Sequence, residues 1–194
     1  MRRTIYNTPV IAQLFRGLSW LGLKLAGWKL EGAPPTERKY VLIAVPHTSN
    51  WDFPITLAMA FVFRFDIFWM GKDSLFKGPF GPVMRWLGGI PIDRSSRNNI
   101  VQQMVDAFNQ SDSLVVAIPP EGTRSRVEKW KTGFYHIANG AGVPIALGFL
   151  DYAHKVGGFG PTFYPTGDLE ADLADIRRFY AGISGRYKDQ CHID

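Results

Sequence analysis

Hydrophobic positions in this 194-residue chain fall into strand-like and helix-like runs. Residues 40–46 (YVLIAVP), 114–118 (LVVAI) and 143–150 (VPIALGFL) are nearly unbroken apolar stretches of strand length, the pattern of strands buried on both faces. Residues 66–71 (DIFWMG) and 88–92 (GGIPI) are shorter versions, and Lys29-Leu30-Glu31 is a strand-like lead into the Ala33-Pro34-Pro35 turn. Between them the pattern predicts helices over 51–64 with Asn50 as N-cap, 78–87, 96–110 starting near Ser95 or Ser96, and 131–141 ending at Gly140 and Gly142. A last helix is expected over 168–183, with Asp168 at its start and Leu169, Leu173, Ile176 and Tyr180 on one face. Residues 157–167 are rich in Gly, Pro and aromatics and read as a loop or an edge strand. This alternation predicts one α/β domain, a central mostly parallel or mixed sheet flanked by helices. Loops leaving the strand ends are where such folds place their chemistry.

Ahead of the first strand, residues 9–28 (PVIAQLFRGLSWLGLKLAGW) form an amphipathic helix pattern. Ile11, Leu14, Phe15, Leu18, Leu21, Gly22 and Leu25 make one apolar face, and Gln13, Arg16, Trp20 and Lys24 fall opposite. Arg16 and Lys24 interrupt it too often for a membrane span or a signal peptide. Two readings stay open: a helix packed on the domain with a solvated basic face, and an interfacial helix touching anionic lipid.

Charge sharpens this division. The formal net charge is +5, and residues 1–30 hold Arg2, Arg3, Arg16, Lys24 and Lys29 with no acid, so the excess lies in that segment and the rest is neutral. The expected organisation is therefore a basic arm, 1–30, and a body, 31–194. A neutral body argues against nucleic acid as partner. Hydrophobic content of 46% with 20% charged residues excludes wholesale disorder. The single cysteine, Cys191, excludes an intramolecular disulfide and a Cys-based zinc site. Neither a phosphate-binding P-loop nor a His/Asp/Glu cluster at ligand spacing is present, so no metal and no bound cofactor are expected.

Three polar stretches follow strand-like runs. In Pro46-His47-Thr48-Ser49-Asn50-Trp51-Asp52, a loop and a first helical turn can bring the carboxylate of Asp52 back against the His47 imidazole. Asp52 would then fix the tautomer while the other ring nitrogen takes a proton from a hydroxyl. That is two-thirds of a nucleophilic triad with no nucleophile in the chain, so the substrate would supply the attacking hydroxyl. Gly88-Gly89-Ile90-Pro91-Ile92-Asp93-Arg94 delivers an arginine, suited to phosphate, at a strand exit. Pro119-Pro120-Glu121-Gly122-Thr123-Arg124-Ser125 displays several polar side chains in one glycine-containing loop, with Arg126, Lys129 and Lys131 just downstream. Taken singly, each stretch also suits a helix cap, a surface turn or a solvated loop.

As an ordered set, HTSNWD, GGIPIDR, PEGTRS and Val143-Pro144-Ile145 resemble the four motif blocks of the glycerophospholipid (lysophospholipid) acyltransferase family, over roughly residues 40–150. The resemblance implies transfer of an acyl chain from an acyl-CoA or acyl-carrier-protein thioester to a hydroxyl of a lysophospholipid-type acceptor such as 1-acylglycerol-3-phosphate. It makes His47 the general base and Asp52 its orienting partner. It assigns Arg94, Glu121, Gly122, Thr123 and Arg124 to the acceptor phosphate or headgroup and Pro144 to the acyl donor. Ser49, Lys72 and Lys131 are supporting candidates. It further implies a peripheral protein on the cytoplasmic side of an anionic membrane, held by the N-terminal helix. Pro46 stands where the family often has Asn, and Pro119-Pro120 where it often has Phe-Pro, departures that bear on the acceptor more than on the reaction. Another hydroxylated lipid acceptor (an ornithine lipid or a glycolipid) and a non-catalytic lipid-binding module are the alternatives.

Overall fold

The structure, a computed structural model, describes residues 3–93, 97–123, 127 and 129–187. Its elements run α1 (Ile11–Leu25), β1 (Lys29–Glu31), β2 (Lys39–Val45), α2 (Asp52–Phe63), β3 (Ile67–Lys72), α3 (Gly81–Trp86), β4 (Gly89–Ile92), α4 (Arg97–Asn109), β5 (Leu114–Ala117), α5 (Gly133–Ala141), β6 (Ile145–Asp151), β7 (Val156–Phe163) and α6 (Leu169–Tyr180). The strands form one sheet in the order β1-β7-β6-β2-β5-β3-β4. From β6 to β4 every neighbouring pair is parallel, and β6–β7 is antiparallel. The five parallel strands therefore end at a common edge, and the loops after β2, β3, β4, β5 and β6 all emerge there.

Alternation along β2 explains the layering. Val41, Ile43 and Val45 pack with Met104 and Phe108 of α4, Phe134 and Ile137 of α5, and Leu173, Ile176 and Tyr180 of α6. Tyr40 and Leu42 face the other way, towards Ala60 and Phe61 of α2. On that second face the residues near the edge where the parallel strands end are small: Ala44 on β2, Ala117 on β5, and Gly148 on β6, which lies beside Ala44 in register. Small side chains there leave space beneath α2.

Two expectations change. The 157–167 region holds an interior strand, with β1 and β6 on its two sides. Its glycines mark close backbone approach: at Gly158, with φ +154°, a Cβ would come within 1.9 Å of the Glu31 carbonyl oxygen. Helix α1 forms as expected but turns a different face inward. Ala12 and Leu23 are buried, and Arg16 Nε donates to the Phe61 carbonyl of α2 at 3.3 Å. Leu14, Leu18, Leu21 and Leu25 point to solvent, Leu25 being 79% exposed. The segment before α1 is anchored as well. Ile5 and Tyr6 join the α2-side core, and Thr4 Oγ1 and Asn7 Nδ2 both donate to Asp66. Among the described residues no helix is long and apolar enough to cross a membrane.

Candidate active site

The loop from β2 to α2 folds around one carboxylate. The expected cap, Asn50, does not serve; the N-cap is Trp51, without a side-chain cap bond. Asp52, in the first turn, reaches back instead, and its Oδ2 accepts the backbone N–H groups of Thr48 (2.9 Å) and Ser49 (2.8 Å). Ser49 Oγ accepts from Trp51 N at 3.1 Å, so this supporting candidate shapes the turn. The loop thereby sets Nδ1 of His47 3.1 Å from Asp52 Oδ2. Asp52 is only 4% exposed. Burial pushes its carboxyl up, but hydrogen bonds from His47, Tyr152 and the Ser49 N–H, with the charge of His47, outweigh burial and hold it below the ordinary carboxylate value.

With Nδ1 committed to Asp52, Nε2 is the nitrogen left for a substrate. The His47 side chain is 27% exposed and lines a cavity of about 170 Å³. Ala44, Ala117, Leu57, Ile67, Trp69 and Leu150 line its apolar wall, and Phe53 stands beside them. Among the nearby aromatics, Trp69 reaches this wall, whereas Phe61 and Phe76 are buried in the core.

The β5 loop closes the site from the other side. Glu121, 4% exposed, receives the backbone N–H of His47 on both carboxylate oxygens, at 2.9 and 3.2 Å. Burial raises its carboxyl to about 7; the N–H bond and the His47 charge oppose this and the Asp52 charge adds to it. Its carboxyl group is thus engaged with the His47 loop, a partner the headgroup expectation did not include. Gly122 follows with φ +65°, and a Cβ there would meet Lys131 Nζ at 2.5 Å, so this lysine lies across the glycine. Thr123 is exposed at the same edge, and Lys72 ends β3 there. Arg94 and Arg124 lie outside the described residues. Pro144 is not brought to the site: it precedes β6, its carbonyl accepts from Val41 N at 3.0 Å, and that is the sheet edge opposite His47.

Tyr152 is the residue that sequence reasoning missed. It follows the last residue of β6, and its hydroxyl donates to Asp52 Oδ1 at 2.6 Å. The available signal was its place at the exit of a parallel strand. Residues 184–187 also reach the site: Tyr187 N donates to Thr48 Oγ1 at 3.4 Å, and the Arg186 guanidinium sits 5.7 Å from the Trp51 ring. Among the described residues no group of three or more His, Cys, Asp or Glu side chains converges to hold a metal.

An α/β sheet thus carries an imidazole–carboxylate pair beside an apolar cavity. Residues 29–146 match the family model described as Acyltransferase, and the chain belongs to that family. It is 32% identical over 149 residues to the 1-acyl-sn-glycerol-3-phosphate acyltransferase of Haemophilus influenzae, covering 72% of this chain and 59% of that protein. It is 32% identical over 130 residues to the enzyme of that name from Escherichia coli, covering 62% and 52%. The chain thus spans between about half and three fifths of the length of these curated relatives. Its fold resembles the crystal structure of the 1-acyl-sn-glycerophosphate acyltransferase PlsC from Thermotoga maritima, with a TM-score of 0.61 at 16% identity over 91% of this chain and 81% of that one.

Proposed function

We propose that this chain transfers a fatty acyl group from an acyl-CoA or acyl-carrier-protein thioester to the hydroxyl of a lysophospholipid-type acceptor, first among them 1-acylglycerol-3-phosphate. The observation that carries the reading is the His47–Asp52 pair at 3.1 Å on the wall of an apolar cavity. Nε2 of His47 takes the proton of the acceptor hydroxyl as its oxygen attacks the thioester carbonyl. Asp52, held as a carboxylate, supports the imidazolium. The tetrahedral intermediate collapses, the C–S bond breaks, and the thiolate leaves with the proton from His47. The cavity under α2, floored by Ala44, Ala117 and Leu150, has the lining to hold the acyl chain. Arg94, Arg124, Thr123, Gly122, Lys72 and Lys131 are the candidates for the acceptor phosphate, and Glu121 anchors the catalytic loop.

The same proposal gives α1 a place at the cytoplasmic membrane surface. Its outward ridge of Leu14, Leu18, Leu21 and Leu25 faces away from the body, and Lys24 Nζ lies 4.8 Å over the exposed Trp20 ring beside it. An apolar ridge flanked by tryptophan and cations suits a lipid interface.

Thioester turnover against a panel of lysolipids tests the function. His47→Ala and Asp52→Asn are expected to lower turnover at least about 100-fold while leaving circular dichroism unchanged. Near-normal transfer by His47→Ala would overturn the mechanism. Equal activity on neutral and phosphorylated acceptors would overturn the headgroup assignment.

A further inference from the structure

Asp52 has two oxygens, and its own loop supplies donors to Oδ2 alone in the bonds described above. Oδ2 takes the Thr48 and Ser49 N–H groups and faces His47 Nδ1. Without a donor to Oδ1, a buried carboxylate is costly to keep ionised and free to turn about its Cβ–Cγ bond. The Tyr152 hydroxyl supplies that donor at 2.6 Å, from 100 residues further along the chain. The tyrosine is itself fixed on two sides. Trp28, which follows α1, meets its ring edge-on with centroids 5.1 Å apart and planes at 85°. The Tyr152 backbone N–H donates to the Ser184 carbonyl at 2.9 Å, and Ser184 N reaches back to Asp151 Oδ1 at 3.4 Å.

We propose that Tyr152 is a positioning residue for the acyl-transfer site: by holding Oδ1 of Asp52 it keeps Oδ2 directed at Nδ1 of His47. This rests on the function proposed above for its catalytic consequence, but its structural content stands apart from any substrate. A hydroxyl donating to a carboxylate makes a short, charge-assisted bond, stronger than one between neutral groups. Phenylalanine at 152 would keep the ring against Trp28 and remove only that donor. Asp52 would then be oriented by two amides and the imidazole on one oxygen, and its alignment with Nδ1 would loosen. The reacting Nε2 sits on the far side of the same ring, so a small rotation of the imidazole is carried directly to the acceptor hydroxyl.

The experiment uses the full chain with 15N-labelled histidine. In the wild type, the proton on His47 Nδ1 is expected to give a downfield proton resonance, protected from exchange by Asp52 and absent from His47→Ala. In Tyr152→Phe that resonance should move upfield or vanish by exchange with water. In the same protein kcat should fall about tenfold, with KM for both substrates within about twofold. Trp28→Leu, which loosens the ring but keeps the hydroxyl, should give a smaller change in the same direction. An unmoved resonance with unchanged kcat in Tyr152→Phe overturns the proposal, as does a wild type lacking the resonance. A lowered melting temperature with the resonance unmoved also overturns it, making the tyrosine structural only. The resonance needs no substrate, so a wild type that turns over no thioester would refute the function while the spectrum still judges Tyr152.

Discussion

Glu121→Gln removes a charge that the fold holds in an unfavourable place. The carboxyl is raised from 4.5 to about 7, chiefly by burial. Between those two values the folded protein binds more protons at this site than the unfolded chain does, so stability falls as pH rises through the interval. At about 1.4 kcal/mol per pH unit the complete effect is about 3 kcal/mol, absent below the lower value and fully expressed above the upper. Glutamine retains an oxygen to accept the His47 N–H but carries no proton to lose. Urea unfolding of both proteins at pH 5 and pH 8 reads Glu121 together with the groups it touches, because titrating groups that do not interact with it are common to the two and cancel in the difference. Wild type should lose about 2–3 kcal/mol relative to the variant on going from the lower to the higher pH. If the gap between the two proteins stays constant within about 0.5 kcal/mol, Glu121 is not held as the structure describes, and its role as anchor of the His47 loop fails with it.

Two further outcomes are expected. Ala44→Phe fills the cavity beneath α2, so activity with long-chain thioesters should fall about tenfold more than activity with short ones in a chain-length series; a uniform loss would mean that the acyl chain lies elsewhere. Leu18→Glu with Leu25→Glu places charges on the exposed ridge of α1, so vesicle sedimentation should show binding to anionic lipid weakened at least about tenfold with the melting temperature unchanged, and undiminished binding would remove α1 from the interface.

Much of the fold was legible because central strands of a parallel sheet must be apolar on both sides. The runs at 40–46, 114–118 and 143–150 appear as β2, β5 and β6 with boundaries shifted by a residue or two. The strand β7 was harder, because its glycines lower strand propensity for a reason visible only in three dimensions. Gly158 must admit the Glu31 carbonyl, and Gly160 lies under the ring of Phe179, where a Cβ would come within 2.2 Å of it. Helix α1 was recognisable from its period, but the period alone does not say which face meets the protein. Its inward stripe includes Arg16, satisfied by a main-chain carbonyl, and the more apolar face is left outside. At the site, the His47–Asp52 spacing was readable because both residues lie within one loop and turn. The roles of Glu121 and Tyr152 depend on contacts across 74 and 100 residues, which no local spacing encodes. Pro144 shows the converse, a motif residue at the opposite edge of the sheet.

The pairing of β1 with β7 also has a bearing on how the molecule assembles. Lys29 lies beside Val156, and Lys155 Nζ reaches the carbonyl of Ala26 across 129 residues of chain. Contacts of such span carry a loop-closure entropy cost that local contacts do not, which slows their formation. A nascent chain emerging as far as residue 150 would already carry His47 and Asp52, yet neither Tyr152 nor the strand that seats β1 would have arrived. The Asp52 carboxylate therefore gains its Oδ1 donor only once the chain beyond β6 has formed and folded back against the loop after β2.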